Sequence, residues 1–525
     1  MPSTLTYPGV YVEEIPSGTR TLTGVATSVT AFFGRTQRGP VSEPVLLTSF
    51  SDYERVFGGL WLESPLSYAV YDFFKNGGSQ AVIVRLYHAQ TVDDKAASGI
   101  GQFTLGKLEL RANNPGAWAN NLLVAADYKE RTSDLSADVA KTLGVTTADL
   151  FNLTVTYYAK SGTVTERFAN LTIKDTARRV DRVLTASSKF VRVAPDATTG
   201  KPSLPDAIPT ESTAMNGETG TRATAGTALD SAALTTTDYV FTSLDKTDTV
   251  NLICVPPDTR SGDTSSAVYT AALSYAVARR AVLIVDPPTA WSSKASSELR
   301  TSDLGLSGTA ARNAAVYYPR LVQADPLRSD LYDEFVPCGA VAGIIARTDA
   351  ERGVWKAPAG VDAALAGTSS LAVNLTDTDS GFLNPQGINA LRTLPVSGQV
   401  IWGARTLRGA DLLGDEYKYL PVRRLALYLE ESIQRGTRWA VFEPNDEPLW
   451  AQIRLNMTTF MQGLFHKGAF QGKSPREAYF VKCDKETTTQ ADIDAGIVNI
   501  IVGFAPLKPA EFVVIKFQQM AGQTS

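Results

Sequence analysis

The feature that most constrains this chain is a pair of amphipathic helices followed by a strand, in residues 421–482. Pro421 suits a first helical position, where its missing N–H leaves nothing unsatisfied. Leu425, Leu429 and Ile433 recur every fourth residue as one apolar stripe, which Gly436 ends. Trp439, Val441 and Phe442 read as a short extended link that stops at Pro444. Asn445 is placed to cap a second helix, with Asp446 and Glu447 putting acid in its first turn. Trp450, Ile453, Met457, Phe460 and Leu464 step by three and four, which makes one face apolar for roughly four turns. His466 and Lys467 suit the last turn and Gly468 the stop, and residues 478–482 have strand composition. Two such helices cannot hide their stripes alone, so a sheet must come from elsewhere in the chain.

At 525 residues the chain is too long for one core, and roughly two to four domains are expected. Residues 23–95 predict an α/β unit, with a strand over 27–34, helices over 51–58 and 65–75, and a buried strand over 81–86. Residues 96–240 change character. Alternating runs at 103–110 and 153–158 predict antiparallel β structure, and 194–237 read as a surface segment rich in Thr, Ala, Ser and Gly. Residues 241–390 return to strand–helix–strand spacing, with strands over 250–255, 281–285 and 314–318 and helices over 267–280 and 337–348; this implies a parallel sheet. Residues 391–505 form the last domain, with strand-like runs at 399–407 and 496–504.

The two ends read as extended. Pro8 and Pro16 bracket a β-prone run containing Val10, Tyr11, Val12 and Glu13, which suits an edge strand. It belongs either to the chain's own sheet or to an arm, residues 1–22, that pairs with another subunit. Residues 506–525 carry a final strand over 511–517, with Phe512, Val513, Val514 and Ile515 at its centre, behind a link stiffened by Pro506 and Pro509. It reads either as one strand of a plain hairpin or as an arm.

Several kinds of chemistry are disfavoured. A net charge of −4 argues against a surface dominated by nucleic-acid binding. Cys254, Cys338 and Cys483 lie far apart and read as thiols in a reducing compartment, without a disulfide framework. The start lacks the pattern of a signal peptide and no apolar run reaches membrane-span length, so assembly in the cytoplasm is expected. His88 and His466 are the only histidines, which leaves residues 241–390 without a Ser-His-Asp triad. The loop from Gly468 to Ser474 is one residue short of a phosphate loop and follows a helix rather than a strand. Asp258 and Asp286 follow strand ends, where α/β enzymes place acids, but both sit beside prolines and suit turn formation better. Arg423, Arg424 and Arg435 are expected on the exposed face of the first helix, either solvated or against an acidic partner. No cofactor, metal or catalytic residue is expected.

The runs from Leu425 to Ile433 and from Trp439 to Asn445 resemble the C-terminal domain of contractile tail sheath proteins, which build the outer cylinder of contractile phages, R-type bacteriocins and extracellular contractile injection systems. Residues 7–14 (YPGVYVEE) are similar to the start of such proteins. The stretches GRTQRGP, FFKNGG, AVIVRL, 383–389 and 399–407 also resemble the family, in its order. The resemblance implies a multidomain α/β protein with extended terminal arms. It implies a C-terminal core domain facing an inner tube, a subtilisin-like middle domain without the catalytic triad, and a β-rich variable insertion on the outside.

The resemblance also implies a structural role and no enzyme activity. Arms at Val10–Glu13 and Phe512–Ile515 would be exchanged between subunits, with Arg423, Arg424 and Arg435 as candidate tube contacts. The expected partners are further copies of the chain, an inner tube protein, a baseplate and terminator or cap proteins, with neither direct nucleic-acid binding nor membrane insertion. Two rivals are a histidine-poor α/β hydrolase or nucleotide-binding enzyme on residues 238–390, and a static capsid-like lattice protein.

Overall fold

A computed structural model describes residues 22–92, 95–96, 99–159, 162–196, 198–212, 214–215, 218–223 and 233–516. Its centre is an eight-stranded sheet with the spatial order Val45–Leu47, Ala81–Arg85, Thr30–Gly34, Leu252–Cys254, Val282–Val285, Ala314–Tyr318, Ile388–Leu394, Gly398–Ile401. The six inner strands are parallel and each edge strand is antiparallel to its neighbour. Near-continuous apolar strands are what a parallel sheet covered on both faces requires.

Alternation sorts the side chains between two cores. Ala31, Phe33, Ile253 and Leu283 face the cluster that includes Val268, Ala272 and Ala276 of the Ser266–Ala278 helix. Phe32, Leu252, Cys254, Val282 and Ile284 face the cluster built on the Leu66–Lys75 and Cys338–Arg352 helices. Cys254 and Cys338 are buried in this second layer.

The sheet corrects the expected domain boundaries. Thr30 registers with Leu252 and Phe32 with Cys254, so the N-terminal unit at 23–95 and the middle unit at 241–390 are two halves of one sheet. The boundary expected at residue 390 falls inside the strand Ile388–Leu394, and Gly398–Ile401 closes the same sheet. A parallel partner more than two hundred residues away leaves no mark on local periodicity, which is why the two halves read separately.

The chain between the halves forms antiparallel β structure with its own core. Gly162–Leu171, Phe151–Ala159, Leu122–Asp127 and Thr221–Arg222 make one sheet, and Val191–Val193, Leu108–Ala112 and Gln102–Leu105 another. Phe103, Leu110, Trp118, Leu153, Tyr157 and Phe190 pack between them. The attachment is polar and aromatic. The Arg38 guanidinium lies 5.1 Å from the Tyr157 ring centre and 5.4 Å from that of Phe190, and Arg85 donates to Pro115 O at 2.7 Å. Among the described residues no helix is long and apolar enough to cross a membrane.

Two features of the second core generate tests. The Leu66–Lys75 and Cys338–Arg352 helices touch where glycine removes the side chain: a Cβ at Gly339 would lie 1.9 Å from Ala69 O, and one at Gly343 would lie 2.5 Å from Phe73 O. Gly339→Ala must therefore push the helices apart. Its expected cost is about 1–3 kcal/mol or more, the usual penalty of overpacking, read as a fall in the chemical-denaturation midpoint.

Asp72 is buried on the Leu66–Lys75 helix. Its Oδ2 accepts from Gln323 Nε2 at 3.0 Å, while Oδ1 has no partner among the described residues. Burial pushes its carboxyl up to about 7, against the smaller pull of Gln323 and Lys75. A carboxyl raised this way favours the folded state while protonated, and that contribution is lost as pH rises from its unfolded value through about 7. Asp72→Asn is expected to gain stability relative to the parent between pH 5 and 8, on the order of 1–2 kcal/mol, in paired denaturant titrations.

Candidate assembly surface

The helix pair forms as expected, and the structure shows what it covers. The Leu420–Gly436 helix serves two cores at once. Leu420 and Leu427 face the large sheet, whereas Leu425 and Leu429 face the C-terminal cluster. The second helix is Glu447–His466, and its cap is Asp446, whose carboxylate accepts from Leu449 N at 3.1 Å. Asn445, the expected cap, instead accepts from Trp450 Nε1 at 2.9 Å. The link between the helices is not extended. It contains a 3-10 turn at Arg438–Ala440, then Phe442, which is left-handed with φ 71° and fully exposed.

The stripes close over a sheet of only two strands, Tyr479–Lys482 and Ile501–Phe504, antiparallel with Tyr479 opposite Phe504. Both strands of this small sheet come from the C-terminal region; the sheet supplied from elsewhere in the chain is the large one, covered by Leu420 and Leu427. Tyr479 and Phe470 pack with Met461 and Leu464 on one side. Cys483 closes a second cluster with Trp450, Ile453 and Met457, to which Leu22 and Val498 add partly buried cover. The opposite face of the sheet is open, with Phe480 and Ile501 about half exposed.

Among the described residues neither strand has a second ladder partner, so both edges carry unpaired backbone groups. The strand expected over 496–504 is shorter than its apolar run. The strand expected over 511–517 is absent as far as residue 516, the last described. Phe512, Val513, Val514 and Ile515 are instead 75, 81, 76 and 71% exposed, and among the described residues none offers them a ladder. Val10, Tyr11, Val12 and Glu13 lie outside the described residues.

The three arginines expected on an exposed helix face are held within the chain. Arg424 is buried and forms a two-point pair with Asp349, Nη1–Oδ1 at 2.7 Å and Nη2–Oδ2 at 2.5 Å, and also donates to Thr27 O. Arg423 donates to Asn313 Oδ1 at 3.1 Å and approaches Glu430 at 3.5 Å. Arg435 pairs with Glu431 at 2.6 Å and Asp248 at 2.7 Å. Periodicity placed these positions off the apolar stripe, but the large α/β unit packs against that flank. They are better read as ties between the helix and the large unit than as an exposed basic face.

The enzyme candidates have local structural roles. Asp258 receives Arg35 Nε at 2.5 Å and Leu234 N at 3.2 Å, so its carboxylate is engaged within the chain. Asp286 is buried and accepts from Cys338 N at the start of the Cys338–Arg352 helix. Burial pushes its carboxyl up to about 7, with hydrogen bonds from Cys338 and the charge of Arg320 opposing. In the loop from Gly468 to Ser474, Phe470 is buried and Lys473 N donates to Glu477, an acid that would repel phosphate. His88 pairs with Asp238 and His466 with Gln462, so the two imidazoles serve separate sites. Among the described residues no group of three or more His, Cys, Asp or Glu is arranged to hold a metal ion.

Comparison with known proteins agrees with this geometry. The phage tail sheath protein central domain matches residues 232–407, and the phage tail sheath C-terminal domain matches residues 414–520, together just over half of the chain. The tail sheath protein of Vibrio phage KVP40 is 25% identical over 187 residues, which span 35% of this chain and 26% of that protein. That of Enterobacteria phage T4 is 25% identical over 187 residues, 35% of this chain and 27% of its own length. The match thus spans about a quarter of the curated relatives.

Among solved structures, the sheath complex of the PVC extracellular contractile injection system in its contracted state has a TM-score of 0.56 at 22% identity, covering 98% of each chain. The contracted helical sheath of the anti-feeding prophage scores 0.56 at 22% identity, covering 98% of this chain and 100% of that one. The sheath tail protein of Listeria innocua scores 0.56 at 15% identity, with 93% and 96% coverage. The chain belongs to the phage tail sheath family, and its mixed α/β multidomain fold is that of the sheath structures.

The Arg424–Asp349 pair allows a sharp test. Arg424→Leu leaves a buried carboxylate unpaired, and the expected loss is about 3–5 kcal/mol of folding stability. Adding Asp349→Leu removes the stranded charge. The double variant should recover most of the loss in the same denaturant titration, whereas additive losses would place the stability elsewhere.

Proposed function

We propose that this chain is the repeating structural subunit of a contractile tail sheath. The single observation that carries the reading is a two-stranded sheet with both edges open among the described residues, in a chain that also presents four consecutive exposed apolar residues, Phe512–Ile515. Unpaired edges and a β-prone apolar segment are liabilities in a monomer. They become connectors when each copy lends a strand to another. A heterologous contact that does not close produces an open helical filament, the geometry of a cylinder.

In this reading the segments at Val10–Glu13 and Phe512–Ile515 are the exchanged strands. The large α/β unit corresponds to a subtilisin-like middle domain used only for its architecture. The β-rich segment between its halves lies on the outside of the cylinder, where its size is tolerated. The C-terminal helices and small sheet face an inner tube, with a baseplate at one end and a terminator or cap at the other. Since Arg423, Arg424 and Arg435 are engaged within the chain, a tube contact through them requires those pairs to open. The extended cylinder is held by a barrier, and rigid-body rearrangement after a baseplate trigger shortens it and drives the tube through a target envelope. No nucleotide hydrolysis enters the stroke. The particle is a phage tail or a related injection device assembled in the bacterial cytoplasm.

Removing residues 1–20, or residues 511–525, is expected to leave a folded monomer with little change in thermal midpoint and no ability to polymerise. Negative-stain electron microscopy and sedimentation read the outcome. Hollow striated cylinders from the full chain and none from either truncation support strand exchange. Normal cylinders from both truncations would sink it.

A further inference from the structure

The C-terminal segment leaves the small sheet at Phe504 and runs back to the large α/β unit. There the side chains of Arg405 and Tyr419 receive it. Arg405 is 1% exposed, and its guanidinium meets Glu511 in a two-point ion pair, Nε–Oε1 at 2.8 Å and Nη2–Oε2 at 2.6 Å. Tyr419 OH adds a hydrogen bond to Glu511 Oε2 at 3.1 Å.

Arg405 is itself fixed from behind. Its Nη1 donates to Asn384 O, Gly409 O and Asp411 Oδ1. Its own backbone is gripped by Asn389, which accepts from Arg405 N and donates to Arg405 O and Val316 O. Val316 lies in a fully buried inner strand of the large sheet, so the guanidinium is tied through Asn389 to that sheet. The strap from Leu507 to Phe512 spans a cleft of about 1110 Å³ over Trp402, Pro385 and Ile388, so cleft packing does not hold it closely. Immediately beyond Glu511 the four apolar residues Phe512–Ile515 stand exposed.

We propose that Arg405 and Glu511 are positioning residues: they form a clasp that fixes the C-terminal segment to the large α/β unit and sets the point from which the apolar strand departs toward another copy of this chain. The second half of this statement rests on the sheath reading; the clasp itself does not. Bidentate guanidinium–carboxylate pairing suits the role, because it defines direction as well as attachment. The clasp also makes the strap a second link between the small C-terminal sheet and the large unit, in addition to the Leu420–Gly436 helix. Any rearrangement of one against the other must carry the departing strand with the large unit or break the pair.

The test uses the full-length soluble subunit and the variants Glu511→Gln and Tyr419→Phe. Chymotrypsin needs the residues on both sides of Phe512 in an extended, free conformation, which the clasp denies on the N-terminal side. Cleavage after Phe512 is expected to be at least about tenfold faster in Glu511→Gln, the scale of a lost charge-assisted pair, and slightly faster in Tyr419→Phe. The thermal midpoint should stay within a degree or two, because the buried Arg405 charge keeps Asp411 Oδ1, Asn384 O and Gly409 O and the segment is exposed beyond Glu511. Equal cleavage rates in Glu511→Gln and the parent overturn the clasp, as does a midpoint that falls in step with the cleavage rate, which marks a general structural role.

Polymer yield by sedimentation then tests the partner. Reduced polymer from Glu511→Gln supports strand presentation to a second copy, and parental yield overturns that part. Failure of the parent itself to polymerise counts against the sheath reading and leaves the proteolysis result standing.

Discussion

The structure depends on one pairing: Thr30–Gly34 beside Leu252–Cys254 at the centre of the large sheet. It joins chain segments on either side of the β-rich segment, and it buries both of its own faces. Phe32 and Cys254 point into one core while Ala31, Phe33 and Ile253 point into the other. Separating these strands would expose apolar surface on both sides of the sheet. Each buried side chain contributes about 1.5–3 kcal/mol of transfer free energy, so the centre is a unit that moves as a whole. The rest of the molecule hangs from it. The β-rich segment is inserted in sequence between the strands Ala81–Arg85 and Leu252–Cys254, the Leu420–Gly436 helix lies against the sheet through Leu420 and Leu427, and Arg405, just after the edge strand Gly398–Ile401, pairs with Glu511.

The C-terminal part follows a different rule. Two helices and two strands hide one apolar face and leave ladder edges unfilled. Such a sheet is marginal by itself, and here it borrows stability from the Arg424–Asp349 tie and from Leu22 at the start of the described chain. The balance suits a component whose final neighbours are other molecules: firm enough to keep its strands in register, incomplete enough to accept more. Electrostatics is arranged in the same sense. The arginines on the first helix are spent on links to the large unit, so the helix is a beam between two units and not a free charged surface.

Much of the local structure was legible because periodicity and capping are local. The helix stripes, the helix over 65–75 and the apolar strands at 81–85 and 282–285 all follow from a few neighbouring residues. The candidate surface was legible only in part. Phe512–Ile515 stood out by composition, but a strand needs a partner, and among the described residues none pairs with them. Arg424 was misplaced because its burial is decided by Asp349 and the backbone at Thr27, neither of which lies near it in sequence. Arg405 and Glu511 carried no signal at all: a single arginine and a single glutamate separated by about a hundred residues become meaningful only when folding brings them together.

The sequence by itself determined which segments are helix or strand, that most of the histidine-dependent chemistries are unsupported, and that the ends are apolar and extended in character. Those properties rest on interactions within a few residues. Only the tertiary structure decided that residues 30–85 and 252–401 share one sheet, that Tyr479–Lys482 pairs with Ile501–Phe504, and that Glu511 returns to Arg405. These are choices of partner. The free energy that makes them comes from burial and pairing across distant parts of the chain, where local propensity has no say.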